Sequence, residues 1–129
     1  MIHLHDKTFE PFISSDEIAF AIKNMAKQMD DDFFDETPIF IGVLNGSFMV
    51  MADLMKHYRG MCEVSFVKMS SYEGTTSTND VKQLIGINEN LEGRTVVIVE
   101  DIVDTGNTVE ELKAIFKSKG VKHLKIATL

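Results

Sequence analysis

Three carboxylates, Glu100, Asp101 and Asp104, lie within five positions of one another directly after the apolar run at residues 95–99. A strand buried in a sheet rarely ends by gathering like charges, because such charges repel one another. Neighbouring carboxylates can accept hydrogen bonds from adjacent hydroxyl groups of a sugar, or they can hold a divalent cation. The cluster therefore indicates a ligand that carries hydroxyl groups, a metal ion, or both.

The turn that follows the first two carboxylates has the composition of a phosphate site. Residues 104–108 read Asp-Thr-Gly-Asn-Thr and lead into a stretch with helical spacing. The first N–H groups of a helix have no partner within the helix, and its positive end favours an anion. Gly106 permits a positive φ and close approach of the backbone to a ligand, and the hydroxyls of Thr105 and Thr108 add donors. Together, the acids and the turn indicate a sugar phosphate.

Alternating strands and helices predict the scaffold that positions these residues. Ser14 and Glu17 form a capping-box pattern before a helix at 15–29, and Thr108 with Glu111 repeats the pattern before a later helix. Strands are predicted at 39–44, 62–69, 81–87, 95–99 and 121–129, and a further helix at 48–57. Strand, turn, helix and strand follow one another twice with short connections. The fold class is therefore α/β, with a mainly parallel, twisted sheet flanked by helices.

Two turns fall at the carboxyl ends of predicted parallel strands, which is where ligands bind in open α/β sheets. One comprises residues 100–108, and the other, Asn45-Gly46-Ser47, follows the strand at 39–44. A third polar segment, residues 70–80, is rich in Ser and Thr. Long loops of this kind in a compact domain are commonly lids or binding loops, so we expect a mobile hairpin loop here.

The composition excludes several classes of protein. The 129 residues include 13 Lys or Arg against 20 Asp or Glu, giving a net charge of −7, which disfavours a nucleic-acid partner or an anionic membrane surface. A single cysteine, Cys62, excludes an internal disulfide and suits a reducing cytoplasm. No apolar run approaches the roughly 18 residues that a membrane span needs. We expect residues 1–129 to form one cytoplasmic domain.

The acidic cluster and its turn resemble the phosphoribosyl pyrophosphate signature of type I phosphoribosyltransferases: an apolar run, Glu-Asp, two residues, then Asp-Thr-Gly-x-Thr. Over its whole length the chain is similar to the hypoxanthine–guanine phosphoribosyltransferase family. Residues 41–47 resemble that family's pyrophosphate loop. Residues 69–72, with the polar stretch behind them, resemble its mobile catalytic loop. Three such elements in the family's order make the resemblance specific, and it implies a type I phosphoribosyltransferase-like core.

The resemblance implies transfer of ribose 5-phosphate from 5-phosphoribosyl 1-pyrophosphate to N9 of hypoxanthine or guanine, a reaction of purine salvage. Mg²⁺ would neutralise the pyrophosphate and bind ribose hydroxyls near Glu100 and Asp101. Asp104 would accept the N7 proton of the base, and Ser71 and Tyr72 would close over the reacting centre. The resemblance further implies small-molecule partners and a homo-oligomer, either a dimer or a tetramer.

The family's motifs also imply a set of substrate-binding residues. Backbone groups of the loop at 44–46 would hold pyrophosphate, with a non-proline cis peptide between Leu44 and Asn45, and the turn after Asp104 would hold the 5-phosphate. The full set is Leu44, Asn45, Gly46, Glu100, Asp101, Asp104, Thr105, Gly106, Asn107 and Thr108. Many relatives have Lys where Asn45 stands. One positive charge near pyrophosphate is therefore missing, and the backbone donors must carry more of the binding.

Two other interpretations stay open from the sequence. One is a nucleotide-binding regulatory relative that keeps the sugar-phosphate site without useful catalysis. The other is the core of a longer enzyme, because the family's purine-recognition Lys and stacking aromatic lie beyond Leu129. A core of that kind would hold a phosphoribosyl site without a complete base pocket, and we would expect little or no catalysis from it. The residues present do not indicate which of hypoxanthine, guanine and xanthine is the preferred base.

Overall fold

A five-stranded sheet is built around the apolar strand Ile39–Leu44. The computed structural model describes residues 1–71, 81–86 and 89–129, and it describes residues 70, 71 and 81–85 by their backbone only. The elements in chain order are β1 (Ile2–Leu4), β2 (Lys7–Phe9), α1 (Ser15–Asp32), β3 (Ile39–Leu44), α2 (Phe48–His57), β4 (Glu63–Ser71), β5 (Val81–Ile85), β6 (Thr95–Glu100), α3 (Asn107–Ser118) and β7 (His123–Thr128).

The strand order of the sheet is β5-β4-β3-β6-β7. The β3 strand pairs in parallel with both β4 and β6, β7 pairs in parallel with β6, and β5 is antiparallel to β4. The predicted mainly parallel α/β architecture is therefore confirmed. From β3 the chain crosses through α2 to one side of the sheet, and from β6 it crosses through α3 to the other. This reversal between β3 and β6 opens a crevice at their carboxyl ends.

Apolar side chains of the two central strands point alternately to the two faces of the sheet. Phe40, Val97 and Val99 pack against the buried residues of α1 and α2 on one face. Ile41 and Ile98 pack on the opposite face, with Leu112 and Phe116 of α3 among their neighbours. Both faces of β3 and β6 are thus covered, which explains why their sequences are continuous apolar runs rather than alternating ones.

The first helix begins as predicted but ends three residues later. The capping box of Ser14 and Glu17 is present, with the Glu17 N–H donating to Ser14 Oγ at 3.1 Å. Residues 30–32 continue the helix, although acids near its negative end oppose the helix dipole. The carboxylate of Asp30 accepts hydrogen bonds from the N–H groups of Arg59 and Gly60, at 3.0 and 2.9 Å. This contact stabilises the acidic end of the helix.

The capping box predicted at Thr108 and Glu111 is wrong. Helix α3 begins at Asn107, and its N-cap is Gly106 with φ of +83° and no side-chain cap. A left-handed glycine turns the chain directly into the helix, so Thr108 already lies within it.

The N-terminal hairpin of β1 and β2 was not predicted from the sequence. Its strands have three exposed residues each and are too short to show a pattern. Within the described residues, no helix is long and apolar enough to cross a membrane.

Candidate active site

The two turns singled out in the sequence meet in the crevice between β3 and β6. Gly42 of β3 pairs with Val99 of β6, so the residues after both strands leave the sheet at the same edge. A Cβ atom on Gly46 would lie 2.6 Å from Asp101 Oδ2 and 3.0 Å from its Oδ1. Only glycine allows this approach. The structure thus brings the predicted pyrophosphate loop into contact with the acidic pair.

The first turn carries the backbone feature that the resemblance implied. The peptide bond between Leu44 and Asn45 is cis. Asn45 and Gly46 are exposed, and no hydrogen-bond partner is found for their N–H groups among the described residues. The turn is closed by the Ser47 N–H, which donates to the carbonyl of Val43 at 3.2 Å. Two main-chain donors at the mouth of the crevice are therefore available to an anion.

Backbone hydrogen bonds fix the acidic pair at the end of β6. Glu100 Oε1 accepts from the Asp101 N–H at 3.2 Å, and Asp101 Oδ1 accepts from the Ile102 N–H at 2.7 Å. The carbonyl of Asp101 accepts from Thr128 Oγ1 and from the Leu129 N–H, both at 3.3 Å. The end of β7 and the residue after it thus hold the backbone of Asp101, and Glu100 and Asp101 are both half-buried.

The acidic pair is electrostatically uncompensated. The pKa of Glu100 is raised from 4.5 to about 7. Burial is the main cause, a side-chain hydrogen bond to Asp101 and the Asp101 charge contribute, and a backbone hydrogen bond to Asp101 opposes the shift. Hydroxyl donors or a cation would stabilise the charged form of a carboxyl group in this position. The arrangement therefore favours a ligand that brings one or both.

The second turn presents an open helix N-terminus. Gly106 accepts the Glu110 N–H at 2.9 Å, and the Asn107 N–H donates to Thr105 Oγ1 at 3.4 Å, a long and weak contact. In the part of the chain that the structure describes, no partner is found for the N–H groups of Gly106 and Thr108. Asp104 is exposed at the start of the turn. The turn can accept a phosphate without first breaking a strong internal bond.

Most residues of the predicted mobile loop lie outside the part of the chain that the structure describes. Ser71 is the last residue of β4 and is described by its backbone only, and Tyr72 lies outside the described residues. The predicted strand at 81–87 is observed as β5, Val81–Ile85.

Sequence reasoning missed two polar contributors to the crevice. Ser47 is fully buried, and its Oγ has no partner among the described residues. Thr128 supports Asp101 from a position 27 residues away, a contact that no local pattern could have revealed.

The donor set fits a magnesium ion that shares its ligands with a substrate. Within the described residues, no group of three or more His, Cys, Asp or Glu side chains could enclose a metal. Glu100 and Asp101 supply two carboxylates at one place. Mg²⁺ commonly takes one or two carboxylates, with waters and substrate oxygens completing its shell. These residues fit Mg²⁺ in the presence of a phosphorylated substrate, and they do not form a closed metal cage.

Fold and crevice define an α/β protein with a candidate ligand site at the point where the strand order reverses. A family model described as the phosphoribosyl transferase domain matches residues 14–129, and the chain belongs to this family. It is 43% identical over 117 residues to a hypoxanthine-guanine phosphoribosyltransferase of Streptococcus pyogenes, covering 90% of this chain and 65% of the relative. The chain thus spans slightly less than two thirds of the length of the curated relatives that it matches first.

Solved structures give the same family. A hypoxanthine-guanine phosphoribosyltransferase from Bacillus anthracis, with a HEPES molecule in the active site, superimposes with a TM-score of 0.88 at 37% identity, covering 95% of this chain and 73% of that one. A hypoxanthine phosphoribosyltransferase from Trypanosoma cruzi, in complex with the product IMP, superimposes with a TM-score of 0.79 at 35% identity, covering 88% and 66%.

Proposed function

We propose that this protein transfers ribose 5-phosphate from 5-phosphoribosyl 1-pyrophosphate to N9 of hypoxanthine or guanine, giving IMP or GMP and pyrophosphate. The observation that carries the proposal is the contact between Gly46 and Asp101, which puts main-chain donors beside carboxylates. The open start of α3 follows on the same strand β6. The related enzymes of Streptococcus pyogenes and Bacillus anthracis support the choice of a 6-oxopurine as acceptor.

Each part of the substrate has a matching part of the crevice. Main-chain N–H groups of residues 104–108 would bind the 5-phosphate, since a helix N-terminus favours an anion. Glu100 and Asp101 would accept hydrogen bonds from the ribose hydroxyls. The N–H groups of Leu44, Asn45 and Gly46 would bind pyrophosphate. This assignment would suit a ligand with anionic groups at both ends and a diol between them.

The chemical step requires stabilisation of positive charge on the sugar. As pyrophosphate leaves C1 of the ribose, the ring becomes oxocarbenium-like, and the carboxylates of Glu100 and Asp101 favour that charge. Asp104, which is exposed at the start of the second turn, would accept the N7 proton as N9 of the purine attacks. Glu100 and Asp101 would hold Mg²⁺, which would supply positive charge opposite the pyrophosphate group. Ser71 and Tyr72 would help to exclude water.

Replacement of Asp104 by Asn separates chemistry from binding. We expect Asp104→Asn to lower base-dependent pyrophosphate release by at least about 100-fold, the usual contribution of a general base, and to change the Kd for 5-phosphoribosyl 1-pyrophosphate by less than about twofold. Asp35→Asn, the same change at an exposed carboxylate outside the crevice, serves as the control.

Unchanged turnover in Asp104→Asn would remove this residue from the mechanism. A protein that binds 5-phosphoribosyl 1-pyrophosphate but releases no pyrophosphate with any purine would contradict the proposed catalysis. It would favour a regulatory relative or a core without a complete base pocket.

We also propose a cytoplasmic homo-oligomer, either a dimer or a tetramer. Phe48 and Met49 at the start of α2 are 57% and 64% exposed directly behind the candidate pyrophosphate loop, and apolar side chains of this size favour a partner surface. Light scattering coupled to size exclusion tests the assembly, and Phe48→Ser with Met49→Ser should shift it towards monomer.

A further inference from the structure

A groove of about 540 Å³ lies between α1 and the segment that leaves α2. Its α1 side is formed by Phe20, Lys23, Asn24 and Lys27, and its other side by His57 and Arg59. The α1 residues follow the spacing of three and four that places side chains on one face of a helix. The groove is therefore a continuous strip that runs along α1.

The groove is remote from the candidate active site. Helix α2 begins directly after the turn that contains Gly46 and ends at His57. Its ten residues span about 15 Å at the rise of an α-helix, so the groove lies at the opposite end of α2 from the crevice. A ligand bound here would not occupy the phosphoribosyl site.

The groove concentrates positive charge in a chain that is acidic overall. Acidic residues outnumber Lys and Arg by 20 to 13, yet Lys23, Lys27 and Arg59 face the groove with one carboxylate, that of Asp30. This carboxylate already accepts two backbone N–H groups, at 3.0 and 2.9 Å. The ion pairs found among the described residues use Lys56, Arg94 and Lys113, and none uses a cation of the groove.

Folding alone does not account for this composition. Lys23 and Lys27 are four residues apart on α1, a spacing at which like charges destabilise a helix. The Phe20 ring between solvent and the groove is 66% exposed, so it contributes little to the core. Phosphate groups would neutralise the lysines, and a flat aromatic ligand would cover the ring.

We propose that this groove is a binding site for a nucleoside polyphosphate. Lys23, Lys27 and Arg59 bind the phosphates, and the base stacks on Phe20 with the amide of Asn24 as its hydrogen-bonding partner. Cations combined with an aromatic face are the chemistry that such a ligand requires. The site does not depend on the proposed transfer reaction.

The test is a titration with ATP in the presence of EDTA, followed through the backbone amide NMR signals of Asn24, Arg59 and Gly60. We expect saturable shifts at these amides. Lys23→Glu with Lys27→Glu should weaken binding at these amides by at least about tenfold, since each charge-assisted contact to phosphate is strong. Lys117→Glu with Lys119→Glu makes the same charge change at the C-terminal end of α3 and should alter the Kd by less than about twofold.

A second titration separates phosphate binding from base stacking. Tripolyphosphate should bind the groove more weakly than ATP does. Phe20→Ala should weaken the binding of ATP but leave the binding of tripolyphosphate unchanged. If the two double-lysine variants lost ATP affinity equally, the loss would come from the change in overall charge, and the proposal would be overturned. It would also be overturned if ATP shifted only the amides of residues 104–108, an outcome that leaves the proposed transfer reaction untouched.

Discussion

Glu100 shows how a ligand site conflicts with stability at the scale of one residue. Its carboxylate is half-buried beside Asp101, and its pKa is raised from 4.5 to about 7, chiefly by burial. Below pH 4.5 the group is protonated in the folded and the unfolded chain, so it has no effect on stability. As the pH rises towards 7, the unfolded chain loses this proton more readily, and the folded state loses stability.

Glu100→Gln should therefore stabilise the protein without ligand at high pH. In the absence of Mg²⁺ and substrate, we expect the variant to exceed the wild type by about 1 kcal/mol at pH 8, a value reduced for the partial exposure of the group. The difference should vanish near pH 4. Thermal unfolding at both pH values measures it. An equal difference at pH 4 and pH 8 would show that ionisation of Glu100 is not its cause.

Two buried hydroxyls make a matched pair for a second test. Ser47 is fully buried with no partner for its Oγ within the described residues, whereas Thr95, which is 4% exposed, donates its Oγ1 to Glu36 Oε1 at 2.8 Å. Removal of an unpaired hydroxyl is nearly neutral or stabilising, but removal of a paired one leaves a polar partner unsatisfied.

We expect Ser47→Ala to change the free energy of unfolding by less than about 0.5 kcal/mol or to increase it, and Thr95→Val to decrease it by about 1–2 kcal/mol. Urea denaturation of both variants checks the pair. A loss of stability in Ser47→Ala as large as that in Thr95→Val would mean that the hydroxyl of Ser47 has a partner after all.

Residues whose position and backbone conformation depend on local order were predictable. Glu100, Asp101 and Gly106 follow one another in a short signature, and Gly106 does adopt the positive φ that was expected of it. Ser47 and Thr128 were not predictable, because their environment arises only when separate segments pack together. The roles of Ser71 and Tyr72 stay predictions, as do those of Glu100, Asp101 and Asp104.

At the scale of the element, the proposed binding of the 5-phosphate depends most on the start of α3. Gly106 holds φ of +83° at the N-cap, with open space around the position of a Cβ atom. Gly93 has φ of +72° and similar open space, but it lies in the turn before β6, at the other end of the strand from the crevice. The two glycines therefore share a backbone conformation and differ in location.

Replacement of either glycine by Ala should cost about 1 kcal/mol of stability, because an L-residue is strained at positive φ. Only Gly106→Ala should also weaken the binding of 5-phosphoribosyl 1-pyrophosphate, by about tenfold, since it distorts the turn that would bind the phosphate. Thermal unfolding and calorimetric titration of both variants make the comparison. Equal affinities in the two variants would contradict phosphate binding at the start of α3.

Elements with strong apolar patterns were predicted with accurate bounds. The strand at Ile39–Leu44 and the helix at Phe48–His57 agree with the structure at both ends. The two errors have different causes. Helix α1 is extended by the tertiary contact of Asp30 with the segment after α2. Helix α3 begins at Asn107, because its N-cap is the left-handed Gly106 and not Thr108. The exposed hairpin at the N-terminus carries too few residues to show a pattern.

At the scale of the whole molecule, the topology explains why the site lies where it does. Crossovers on opposite sides of β3 and β6 leave the carboxyl ends of these strands uncovered, and the two signature turns are the loops that leave them. This juxtaposition could be anticipated from alternating strands and helices, but the strand order could not. The net charge of −7 is compatible with an anionic substrate because main-chain donors and a cation, rather than basic side chains, would bind it.

The most direct measurement is calorimetric titration of the protein with 5-phosphoribosyl 1-pyrophosphate, with Mg²⁺ and with EDTA in its place. We predict one site per chain in the presence of Mg²⁺, binding that is at least about tenfold weaker with EDTA, and a similar loss with Mg²⁺ in Glu100→Gln combined with Asp101→Asn. Absence of binding with Mg²⁺ present, or binding that is indifferent to both carboxylates, would contradict a phosphoribosyl site between β3 and β6.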